Sequence, residues 1–107
     1  MLTNDEAKMI AATILKQLGG GRFRAMTGAR ELFAHNEGSG GCSFKLPRIP
    51  GVKINYVKII LNANDLYDVT FGRIFKDEYK VISEFKDVYN DQLIGLFEDE
   101  TGLATSL

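Results

Sequence analysis

Apolar residues recur at intervals of three and four near the start of the chain. Ala7, Ile10, Ala11, Ile14, Leu15 and Leu18 fall on one face at this spacing, which predicts an amphipathic helix. Thr3 and Glu6 stand ahead of it as a capping box, the hydroxyl accepting a helix amide and the carboxylate reaching back to the Thr3 amide. Gly19-Gly20-Gly21 ends it, since glycine takes the left-handed cap conformation without a Cβ clash.

The spacing then drops to two. Arg22 to Met26 alternates, with Phe23 and Ala25 on one side and Arg22, Arg24 and Met26 on the other, and predicts a strand before a bend at Thr27-Gly28-Ala29. Glu31 to Ala34 is short and fits no period well, and His35 to Gly41 is a glycine-rich loop. Cys42 to Leu46 predicts a short strand, and Pro47-Arg48-Ile49-Pro50-Gly51 a rigid turn with type II chemistry at Pro50-Gly51. Val52 to Leu61 is the clearest strand, with Val57, Ile59 and Leu61 as its core face. Asn62-Ala63-Asn64-Asp65 turns the chain into a strand over Leu66 to Phe75, and Lys76-Asp77-Glu78 into its antiparallel partner over Tyr79 to Phe85. A last helix is expected over Val88 to Thr101, with Asp87 as N-cap, Tyr89, Leu93, Leu96 and Phe97 as the buried stripe, Gly102 at C′ and Leu103 packing behind it.

Helix, five or six short strands, helix: this order predicts a single α+β domain over residues 1–107, an antiparallel sheet with both helices on one face. No stretch between Arg22 and Phe85 is long enough for the crossovers of a parallel sheet. The edge strands permit a homodimer by strand pairing.

Composition narrows the classes without choosing among them. With 45% hydrophobic and 25% charged residues, the 107-residue chain is neither disordered nor fibrous. The single cysteine, Cys42, permits no internal disulfide. The first residues lack a secretory n-region and h-region, and no apolar run approaches the roughly 20 residues of a membrane helix. A cytoplasmic protein of a bacterial host cell, without a membrane partner, is the resulting expectation once the resemblance given below is added.

Charge changes the picture more. The formal net charge is -1, which argues against a uniformly charged nucleic-acid packager. Yet residues 22–58 carry seven cations (Arg22, Arg24, Arg30, Lys45, Arg48, Lys53, Lys58) against Glu31 and Glu37, a local +5, whereas residues 59–107 carry four cations and ten acids, a local -6. Phe23, Phe33, Phe44 and Tyr56 are interleaved with the cations. Single-strand binders combine such cations with aromatic platforms for bases, so Arg22, Arg24, Arg30, Lys58, Phe23 and Tyr56 are the candidate nucleic-acid-binding residues. The competing explanation is ordinary: charges on the solvated face of a sheet, aromatics on its core face.

Catalytic signals are thin. His35 and Cys42 would make a Cys–His pair if the loop folded them together, but no motif surrounds either. One Cys and one His do not furnish a zinc site, Gly19-Gly20-Gly21 lacks the context of a phosphate loop, and no cofactor is expected. Asp68 with Glu84-Phe85-Lys86 loosely matches the Asp…Glu-x-Lys pattern of metal-dependent nucleases, and equally a cross-strand ion pair. Glu98-Asp99-Glu100 marks either a partner surface, a cation site or a solvated helix end.

Three stretches carry a resemblance: Gly20-Gly21-Arg22-Phe23-Arg24-Ala25-Met26-Thr27-Gly28-Ala29; Ile54-Asn55-Tyr56-Val57-Lys58-Ile59, running on through Asp65-Leu66-Tyr67-Asp68; and Glu100-Thr101-Gly102-Leu103 with Thr105-Ser106-Leu107. Together they resemble a family of small proteins of about this length encoded in bacteriophage and prophage genomes. The resemblance implies a bacterial, mobile-element setting and no particular catalytic role. The expectation is a phage-type binding protein that contacts nucleic acid through its basic first strands. The alternatives are a module that inhibits a host defence or replication protein through its acidic half, and a nuclease using Asp68, Glu84 and Lys86.

Overall fold

The computed structural model describes residues 2–48 and 50–105; Ile49 of the expected proline turn and Ser106 and Leu107 of the last motif lie outside them. Helices α1 (Asn4–Leu18) and α2 (Gly20–Thr27) precede five strands: β1 (Arg30–His35), β2 (Gly41–Lys45), β3 (Tyr56–Leu61), β4 (Tyr67–Phe75) and β5 (Glu78–Val88). A 3₁₀ turn (Asn90–Gln92) leads into α3 (Leu93–Thr101). The strands form one antiparallel meander in the order β1-β2-β3-β4-β5. The α+β reading holds, with an extra helix.

The capping box forms as expected: Thr3 Oγ1 accepts from the Glu6 amide and Glu6 accepts from the Thr3 amide, both at 3.1 Å. These two bonds hold the Glu6 carboxyl below the usual carboxylate range. Ile14 and Leu18 of α1 are fully enclosed against the sheet, and Tyr67 of β4 donates its hydroxyl to Gln17 Oε1 at 2.7 Å, pinning helix to strand.

Residues 22–26 correct the sequence reading: they are the body of α2, not a strand. Eight residues fit both periods. What decides is the i, i+4 pair of Phe23 and Thr27, both buried on the core side, together with Arg, Ala and Met as good helix formers. Glycine at 19 has φ 124 and serves as the C-cap of α1 and the N-cap of α2, so the chain turns and resumes helix.

The two later helices end alike. Thr27 Oγ1 donates to Phe23 O at 2.7 Å, Gly28 donates to Arg24 O from the left-handed region, and the Ala29 amide donates to Thr27 Oγ1 at 3.2 Å. Thr101, Phe97, Gly102, Glu98 and Leu103 repeat all three bonds at the end of α3. The repeated pattern Phe-x-x-x-Thr-Gly is therefore a C-terminal cap, and it brings the Phe23 and Phe97 rings edge to face at 5.1 Å. Phe44 of β2 meets Phe23 at 5.3 Å and completes the aromatic centre of the core.

Several boundaries move. Glu31 to Ala34, ambiguous in sequence, lies in edge strand β1, with Leu32 turned towards the core and Phe33 exposed. Regular pairing of β3 begins only at Tyr56, because Asn55 uses its side chain in place of a ladder position. Val57 and Ile59 occupy the core face as expected. Asp87 does not cap a helix: it sits at a bulge in β5 with φ 56, its amide bonded to Asp68, and α3 starts six residues later at Leu93. Tyr89 consequently lies ahead of the helix and is 57% exposed, while Leu93 and Phe97 are buried.

Both edge strands are bulged. Register shifts between Arg30 and Phe33 in β1, and Ile82 of β5 stands unpaired between the pairs Phe71–Ser83 and Gly72–Val81. Bulges of this kind disfavour continuous strand addition at an edge.

Candidate functional site

The sheet turns one face to the helices and the other outward. Pairing registers place Ser43, Lys58, Thr70 and Glu84 in one row of the outward face, and Lys45, Tyr56 and Gly72 in the next. The cations of this face are neutralised at short range: Lys45 pairs with Glu31 at 3.1 Å and Lys58 pairs with Glu37. Tyr56 meets the Tyr79 ring edge to face at 5.4 Å. Gly72 permits this, since a Cβ there would come 2.6 Å from the Tyr79 ring. Burial, with the neighbouring Tyr56, pushes the Tyr79 phenol above its ordinary value.

The six candidate residues therefore scatter. Phe23 is fully enclosed in the core, where no base reaches it. Arg22 and Arg24 are exposed on α2, Lys58 and Tyr56 lie on the outward sheet face, and Arg30 stands at the start of β1. No basic N-terminal strand exists at residues 22–26 to gather them.

A different set of cations does converge. The described residues of the segment from Leu46 to Asn55, which joins β2 to β3, line a groove of ≈ 600 Å³ together with Arg30 of β1 and Arg73 and Phe75 of β4. Arg30, Arg48, Lys53 and Arg73 line it, and among the described residues no acidic side chain does. Leu46 and Ile54, both buried, and half-buried Val52 supply an apolar floor. None of the four cations pairs with an acid among the described residues. Phe75, 59% exposed, stands at the rim with the Arg73 guanidinium 5.7 Å and the Lys76 ammonium 5.6 Å from its ring centroid.

Hydrogen bonds anchor the two ends of the segment. Leu46 donates to Asn55 O at 2.8 Å, and Asn55 donates to Gly72 O at 3.0 Å. The Asn55 amide donates to Ile74 O at 2.8 Å and accepts from the Ile74 amide at 2.7 Å, so one side chain stands in for a strand residue. Gly51, with φ 80, closes the turn after Pro50 that returns the segment to Lys53. Near the same loop, a Cβ at Gly28 would come 3.1 Å from the Pro47 ring, so the α2 cap packs closely on the segment's first proline.

The catalytic candidates are engaged elsewhere. His35 Nε2 and Ser43 Oγ are 2.7 Å apart on the outward face, whereas Cys42, one residue earlier, faces the core, so His35 and Cys42 do not pair. Burial pushes the Cys42 thiol up to about 12, which leaves it protonated and inert. Burial and the Lys58 charge hold the His35 imidazole below its ordinary value. A second groove, of ≈ 630 Å³, runs between α1 and β1 over Ala7, Ala11, Leu15 and Leu32.

Asp68 accepts from Asn62 Nδ2 at 3.0 Å and from the Asp87 amide at 3.2 Å, and Asn62 Nδ2 also reaches Asp87 Oδ1 at 2.9 Å. Asn62 Oδ1 meanwhile accepts from the Asn64 and Leu66 amides. Asn62 is thus the knot of the β3–β4 turn, and Asp68 belongs to it. Glu84 lies opposite Thr70, on the outward face. Among the described residues no three His, Cys, Asp or Glu side chains are grouped to hold a metal ion. In the acidic run, Glu100 accepts from the Ser83 hydroxyl at 2.6 Å and ties α3 to the sheet, and Glu98 holds the amide and hydroxyl of Thr105 and ties the C-terminal segment to α3.

Sequence reasoning counted Arg48 and Lys53 in the basic segment without placing them, and it lost Arg73 within the acidic one. The available signal was the pairing of Pro and Gly with cations in Pro47-Arg48-Ile49-Pro50-Gly51-Val52-Lys53, a turn-forming sequence that carries charge. No helix among the described residues is long and apolar enough to cross a membrane. No protein-family model matches the chain, and neither a curated protein nor a solved structure shows a significant match to it.

Proposed function

We propose that the protein is a nucleic-acid-binding domain that holds the phosphate backbone in the groove between the Leu46–Asn55 segment and the β4–β5 hairpin. The observation that carries this reading is the lining: Arg30, Arg48, Lys53 and Arg73, with no acid among them, in a chain whose net charge is -1. Four exposed cations around one groove without a counter-charge raise the local positive potential and attract an anion. Three of the four are arginines, whose planar fork suits phosphate oxygens.

Arg30 carries over from the basic segment that the sequence indicated, and the acidic half of the chain contributes Arg73 and Phe75 to the groove but, among the described residues, no acid. The setting implied by the resemblance, a bacterial cell carrying phage or prophage genes, supplies nucleic acid in abundance. The reading is a binding function without a catalytic step.

Fluorescence anisotropy of a labelled oligothymidine against NaCl concentration tests it. Four phosphate contacts to a single strand give a slope of log K against log salt of about -3. An absence of binding at low salt with micromolar protein removes the proposal.

A further inference from the structure

We infer that the ligand is single-stranded nucleic acid and that Phe75, at the rim of the groove, is the platform on which one of its bases stacks. This rests on the groove reading above and goes beyond it, because phosphate contacts alone do not distinguish strand from duplex.

Three observations lead here. First, Phe75 is 59% exposed at the tip of the β4–β5 hairpin, although it belongs to the lining of a groove whose other large apolar residues are buried. An exposed phenyl ring is costly in water and becomes favourable when a flat apolar partner covers it. Second, the Arg73 guanidinium and the Lys76 ammonium lie over the ring, 5.7 and 5.6 Å from its centroid, so a base that stacks there displaces a cation that its own phosphate can then take up. Third, Phe75 is the one aromatic side chain among the described residues that line the groove. A duplex keeps its bases stacked on one another and offers Phe75 nothing to cover. A single strand offers both a backbone and free base faces.

Hairpin geometry supports the platform. Ile74, next to Phe75, is clamped by both atoms of the Asn55 amide, and Phe75 itself pairs with Glu78 across the turn. The ring therefore projects from a fixed backbone, and ordering it on binding costs little entropy.

The test uses the full chain with two strands of equal length, an oligothymidine and the same sugar–phosphate backbone made abasic. The chain has no tryptophan, so Phe75→Trp introduces a single fluorophore at the platform. Stacking predicts that the oligothymidine binds about 5- to 150-fold tighter than the abasic strand. Phe75→Ala removes that preference. The Phe75→Trp fluorescence is quenched by the oligothymidine and not by the abasic strand. Equal affinity for the two strands, with no quenching, overturns the platform while leaving the phosphate groove intact. Tighter binding of a duplex of the same length also overturns it. Binding of neither strand overturns the groove and the platform together.

Discussion

Asn55 holds Ile74 by both of its backbone polar groups, at 2.8 Å from the carbonyl and 2.7 Å from the amide. This couples two segments that are far apart in sequence. The loop before Asn55 brings Arg48 and Lys53, and the strand around Ile74 brings Arg73 and Phe75. The groove exists because an amide side chain, with a donor and an acceptor on one plane, mimics a peptide group. Substituting Asn55→Ala leaves two half-buried backbone groups without protein partners, at a cost of about 1–3 kcal/mol. Urea denaturation should show that loss, and oligonucleotide binding should weaken although no charge has been removed. Wild-type values for both would show that the coupling is unimportant.

The helix caps give a second expectation. Phe23 and Phe97 meet at 5.1 Å, each one turn before its Thr-Gly cap. Phe23→Ala should cost about 3–5 kcal/mol, a large share of the roughly 5–15 kcal/mol that holds a domain together. Thr27→Val, nearly isosteric, leaves the buried Ala29 amide without its acceptor and should cost about 1–3 kcal/mol. Thermal melts of the two variants check both values; a Thr27→Val protein as stable as the wild type would remove the capping role.

Those caps also show what was legible in the sequence. Helix α1, the core face of β3 and the hairpin turns were legible because each had many periodic positions or a turn dipeptide behind it. Helix α2 was not: over Arg22 to Met26 the apolar residues satisfy two periods at once, and tertiary contact between Phe23, Phe44 and Phe97 chooses helix. Strand β1 was hidden by Phe33, an exposed aromatic between inward-facing Leu32 and Ala34. The groove escaped for a different reason. Its cations come from β1, a proline-rich loop and β4, elements far apart in sequence that line one groove only in the folded chain.

Mild acid should weaken the fold through His35. Burial and the Lys58 charge keep its folded-state pKa below the ordinary 6.5, and the neutral ring holds Ser43. Below that value the unfolded chain binds a proton that the native ring resists. Stability from this residue is therefore complete above 6.5 and declines as pH falls from there towards the lowered native pKa. Urea midpoints between about pH 7 and pH 5 should fall for the wild type and fall less steeply for His35→Gln. Parallel slopes would assign the pH dependence to other groups.

The central claim is that the groove cations, and not the exposed arginines of α2, hold the nucleic-acid backbone. Salt-dependent binding of oligothymidine to two variants tests this most directly. Arg30→Ala/Arg48→Ala/Lys53→Ala removes three of four groove cations and should flatten the slope of log K against log salt from about -3 to about -1. Arg22→Ala/Arg24→Ala should leave the slope near its wild-type value. An unchanged slope in the groove variant, or a loss that follows Arg22 and Arg24 instead, contradicts the account.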